Sequence, residues 1–131
     1  MTQVNEKILK KAVDLCRKRG VLIPTFAQMR DPSTVPAAVK TKLKKADLWD
    51  VVPENLFRIT WHNDVESGLY GAVNTLEIPK SITGIEARVV GLIGKYFPTG
   101  AHKVGAAFGC LAPRLVTGQF DPVAQKAVWP S

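Results

Sequence analysis

Two cysteines and two histidines are all that this 131-residue chain offers as soft metal ligands. Cys16 and Cys110 lie far apart, and neither they nor His62 and His102 have metal-ligand spacing, so no metal site is expected. Both thiols read as reduced core cysteines of a cytoplasmic protein. No apolar run approaches the length of a membrane span. The first 20 residues lack an apolar h-region, so no signal peptide is expected. Aromatic residues make up 8% of the chain, and none interleaves with the lysines as stacking platforms do in single-strand binders. Walker A and dinucleotide fingerprints are absent: Gly100 is followed by Ala101, not lysine.

What is present describes one ordinary soluble domain, 46% hydrophobic and 22% charged. The net charge of +7 is uneven. Residues 1–50 hold 11 Lys/Arg against 5 Asp/Glu, and residues 51–131 hold 7 against 6. The basic surplus reads as a solvated helix face. A basic nucleic-acid-binding module is the alternative.

Residues 4–19 carry Val4, Ile8, Ala12, Leu15 and Cys16 on one helical face, with Gly20 as the stop. Residues 21–24 leave it extended. Asp31-Pro32-Ser33 marks a turn, and a Lys-rich helix is expected over 37–46. Leu56–Trp61 alternates as a strand would, and Leu76–Pro79 fits a short edge strand. Arg88–Ile93 is the clearest strand. A helix is expected over 102–117, with Pro113 as a kink or early stop. Ala127–Trp129 reads as a further strand. Trp49 and Tyr70 read as packing residues, and His62 as a satisfied loop histidine.

The expected fold class is therefore α/β. N-terminal helices precede a strand–loop–helix–strand unit of a parallel, three-layer sheet. The expected division is a basic helical segment with short strands (1–85) and a βαβ unit (86–131). Such units bind ligands at the carboxyl ends of their strands.

That end carries Pro98-Thr99-Gly100-Ala101-His102-Lys103. A helix start suits a phosphate, because its N–H groups are unpaired and its dipole end is positive. Lysine is misplaced against that dipole, which marks Lys103 as a phosphate counter-charge or a nucleophile. Its small apolar neighbours would desolvate the amine, as Schiff-base lysines require.

Thr99-Gly100-Ala101-His102-Lys103 resembles the cofactor-lysine motif of fold type II pyridoxal-phosphate enzymes, with wording nearest the tryptophan synthase β-like branch. The strong match covers about residues 86 to 131. The resemblance implies a pyridoxal 5′-phosphate cofactor held by Lys103 as a Schiff base. His102, Thr99 and Gly100 would lie at the cofactor. The implied chemistry is β-elimination or β-replacement on serine, an activated serine or cysteine. Gly105 stands where many relatives have Arg or Asn, which argues against a tryptophan synthase and leaves the substrate open. Ser131 falls where the substrate-carboxylate loop of relatives begins, so it is the expected substrate-binding residue. The later cofactor-binding loops of relatives are missing. The chain thus resembles an N-terminal portion that works with the remainder of the enzyme or a complementary subunit. A homodimer is a further possible partner, and no membrane is expected. The isolated chain is expected to be inactive. A small phosphate-ligand-binding α/β domain, with Lys103 as counter-charge only, is the other alternative.

Overall fold

The computed structural model describes residues 3–64 and 66–129. Among them the helices are α1 (Glu6–Arg19), α2 (Phe26–Arg30), α3 (Ala37–Leu43), α4 (Lys80–Thr83) and α5 (Lys103–Val116). The strands are β1 (Thr75–Ile78) and β2 (Val89–Leu92), and 3₁₀ turns cover Pro32–Thr34, Pro53–Arg58 and Pro98–Gly100. The chain is mixed α/β. No described helix is long and apolar enough to cross a membrane.

The chain divides into two compact units: Met1–Leu22 with Lys103–Ser131, and Ile23–His102. The chain passes from one unit to the other at Leu22–Ile23 and again at His102–Lys103.

In the first unit Asn5 starts α1, its side chain accepting the Ile8 N–H at 3.2 Å, and Gly20 ends it at φ 64°. Ala12 of α1 and Ala112 of α5 are buried, and small residues let helices approach closely. The Asn5 N–H donates to Thr117 O at 2.7 Å. Lys11 Nζ pairs with Asp121 at 3.1 Å. The Val123 N–H and the Lys11 ammonium hold the Asp121 carboxyl below its ordinary range. Cys110 is exposed and Cys16 half-buried, so only Cys16 approaches the expected core position; both are free. Pro113 lies inside α5 rather than ending it. Residues 125–129 form no strand, and Val128 is 82% exposed.

The second unit packs Val35, Val39 and Leu43 against Phe57, with Leu69 and Tyr70 around them. Val39 and Leu43 stand four apart on α3, which aligns them on one face. The segment expected as a strand, Leu56–Trp61, is instead the end of a 3₁₀ turn, through Arg58, followed by an irregular bend. Pro53 opens that turn. Residues 57 to 60 are buried consecutively rather than alternately, so the strand period is absent. Arg58 reaches Asn55 three residues back at 2.6 Å, a spacing that a turn closes and a strand separates.

β1 and β2 pair antiparallel, with Thr75 opposite Leu92 and Ile78 opposite Val89. Only residues 79–88 join them, shorter than the dozen or more residues a parallel crossover needs. With no strand after α5, the described residues form no parallel pair.

Candidate functional site

β2 hands the chain to the stretch expected to hold the site. At Gly94 a Cβ would lie 2.9 Å from His102 Cβ, so only glycine lets the loop fold back this closely. Phe97 is buried and meets Trp61 edge to face, with centroids 4.9 Å apart. The His102 ring stacks on the same Trp61 at 5.8 Å and 28°. Trp61 is thus the platform for both ends of the loop.

Between them the backbone turns left-handed twice. Thr99 has φ 62° and Gly100 φ 70°; Thr99 is the only described non-glycine residue of that kind. A threonine in this region costs about 1–2 kcal/mol, and the surrounding fold must over-determine it. The Thr99 N–H donates to Leu48 O at 3.0 Å, and the Gly100 N–H to Phe97 O at 2.9 Å. A Cβ on Gly100 would meet Trp49 at an ordinary 3.5 Å. Its requirement for glycine therefore comes from φ, not from crowding within this chain. Trp49, expected as a packing residue, is 69% exposed.

A buried polar network carries this loop, and sequence reasoning missed it. Arg58 is 5% exposed, as buried as the core leucine's neighbours. It donates to Ala46 O (2.9 Å), Leu43 O (2.8 Å), Gly68 O (3.0 Å) and Asn55 Oδ1 (2.6 Å). Burial pulls its pKa below the ordinary arginine value, and four acceptors replace the water it has lost. Asn63 Nδ2 donates to Arg58 O, Thr60 O and Tyr96 O at 2.8–2.9 Å. Three carbonyls fix this amide, because the flipped orientation would set oxygen against oxygen. Tyr96 immediately precedes Phe97, so Asn63 ties the candidate loop to Arg58. Asn63 Oδ1 is buried without a protein partner. Asn63 borders a cavity of about 200 Å³ with Arg58, Asp64 and Tyr96, roomy enough for the ordered water that usually serves such an oxygen.

Lys103 opens α5. It is exposed, so the desolvation expected from its small neighbours is not present. Its amine has no ion pair or hydrogen bond among the described residues. Thr99, Gly100 and His102 belong to one loop of the second unit, whereas Lys103 begins the helix of the first. Ser131 lies outside the described residues. No described group of three or more His, Cys, Asp or Glu could hold a metal ion. A phosphorylated aldehyde needs an accessible amine and unpaired donors. Lys103 and the first-turn N–H groups of the 14-residue α5 supply that donor set.

No protein-family model, curated protein or solved structure matches the chain.

Two other side chains settle into supporting roles. His62 Nδ1 lies 3.1 Å from Gly71 O, a satisfied loop histidine. The Tyr70 hydroxyl donates to Phe57 O at 3.0 Å, and burial pushes its pKa up to about 12. It therefore remains a neutral donor at any physiological pH.

Proposed function

We propose that this chain is the lysine-bearing portion of a pyridoxal-phosphate-dependent enzyme that performs β-elimination or β-replacement on an amino acid. The observation that carries the reading is the run Thr99-Gly100-Ala101-His102-Lys103. Its two left-handed residues lead from strand β2 to a helix opened by an unengaged lysine. When bound, the cofactor supplies an electron sink for charge developing at the substrate α-carbon. Lys103 Nζ would hold the cofactor, and its amine would take or return the proton at the substrate α-carbon. The first-turn N–H groups of α5 would hold the phosphate charge, and the resemblance adds His102 as a further contact. Thr99 and Gly100 set the turn that presents the lysine.

A parallel, three-layer sheet belongs to this reading, completed by the remainder of the enzyme or a complementary subunit. So do Ser131 at the substrate carboxylate and a cytoplasmic setting, which the two free thiols support. The test is a titration of the chain with pyridoxal 5′-phosphate, followed by visible absorbance. A saturable band is expected, lost in Lys103→Ala and kept in Lys126→Ala. Equal bands in both variants would refute the assignment.

A further inference from the structure

A second cavity, of about 460 Å³, opens in the unit Ile23–His102. Arg30, Asp31, Lys40 and His62 line it, together with the apolar faces of Leu69 and Tyr70. Three of its five titratable side chains, Arg30, Lys40 and His62, are basic. The one carboxylate, Asp31, is already engaged: its Oδ1 accepts from the Ser33 N–H at 3.1 Å and the Ser33 hydroxyl at 2.6 Å. The basic groups keep donors in reserve. The Arg30 side chain makes no hydrogen bond or ion pair among the described residues, although, after the Ser33 hydrogen bonds, its charge and that of His62 help hold the Asp31 carboxyl below its ordinary range. Lys40 uses one of its three hydrogens on Ser33 O at 2.9 Å. His62 faces a carbonyl through Nδ1. Only a protonated Nδ1 can bond a carbonyl, so Nε2 is the acceptor of the neutral ring and can take the hydrogen bond of a singly protonated phosphate. The Tyr70 hydroxyl is spent on Phe57 O, so its ring is an apolar wall.

We infer that this cavity is a binding site for a small phosphate monoester with an aromatic or apolar body. A guanidinium fork, an ammonium and an imidazole nitrogen suit the three oxygens of a phosphate better than the two of a carboxylate. Leu69 and Tyr70 take the ester group. The site uses none of the residues assigned to the Lys103 motif; because pyridoxal 5′-phosphate is itself an aromatic phosphate monoester, a probe without an aldehyde separates the two readings.

The probe is phenyl phosphate, titrated calorimetrically into the full chain. Saturable one-to-one binding is expected. Arg30→Gln should raise Kd about tenfold or more, since a charge-assisted donor is lost. Arg30 makes no bond in the fold, so this variant should keep the wild-type circular dichroism. His62→Gln should weaken binding in the same direction, and Lys103→Gln should leave Kd unchanged. Absence of saturable binding, or an Arg30→Gln Kd equal to wild type, overturns the site. So does loss of binding in Lys103→Gln, which would move the phosphate to α5. Tighter binding of phenylalanine than of phenyl phosphate would overturn the ligand class.

Discussion

Arg58→Met should cost the protein about 3–5 kcal/mol, because several buried acceptors lose their donor at once. Methionine replaces the stem but none of the donors. Ala46 O, Gly68 O and Asn55 Oδ1 then lose their bonds to the guanidinium, and unsatisfied buried acceptors cost about 1–3 kcal/mol each before relaxation. A domain of this size holds about 5–15 kcal/mol in all, so the loss reaches the whole second unit. Lysine should rescue little, because a point ammonium cannot span acceptors that a planar fork reaches together. The measurement is the urea midpoint for wild type, Arg58→Met and Arg58→Lys. A Met variant within 1 kcal/mol of wild type would show that the network contributes no net stability. The loop should loosen along with the fold, since Asn63 bonds Arg58 O and Tyr96 O with the same amide.

Gly118→Ala should be the most damaging single methyl in the first unit. Gly118 has φ 70°, and a Cβ there would lie 2.2 Å from Asn5 O, a backbone atom that cannot rotate away. Asn5 is pinned at both ends, by its N–H on Thr117 O and by its side chain on Ile8 N. The variant must therefore part the start of α1 from the end of α5. We expect a loss of about 3 kcal/mol or more, from left-handed strain of about 1–2 kcal/mol plus the clash. Gly20→Ala is the internal comparison. It has φ 64° but nothing within 4 Å of the added carbon, so it should show the strain alone. Equal thermal-stability losses for the two variants would contradict the packing argument. Faster hydrogen exchange at the Asn5 amide in Gly118→Ala alone would support it.

The helices were legible where amphipathic period and cap agreed. α1 has its apolar stripe, its Asn5 cap and its Gly20 stop, and it forms within two residues of the expected limits. β2 was legible from its β-branched run, and β1 from the proline that ends it. The direction of pairing was not read, although the short stretch from 79 to 88 holds the reason. α2 was missed despite a capping box: Thr25 and Gln28 bond each other's backbone N–H groups at 2.9 and 3.2 Å. Leu56–Trp61 misled because its alternation came from a charge buried beside its apolar neighbours. An arginine inside an apolar run, three after an asparagine and just beyond a proline, was the available signal. At the candidate site, the turn and the helix start at Lys103 followed from glycine placement and composition. The Trp61 platform and the Asn63 tether did not. Both depend on residues some 33 to 41 positions away in the chain, and no local pattern encodes such a pairing.

On the proposed function, Lys103 should outcompete the other eleven lysines for the cofactor aldehyde. Its most direct test is to mix the chain with less than one equivalent of pyridoxal 5′-phosphate, reduce with borohydride, and map the adduct by peptide mass spectrometry. The modification should concentrate on the peptide containing Lys103. A spread over the exposed lysines of α1 and α3 in proportion to their accessibility, with no excess at Lys103, would contradict it.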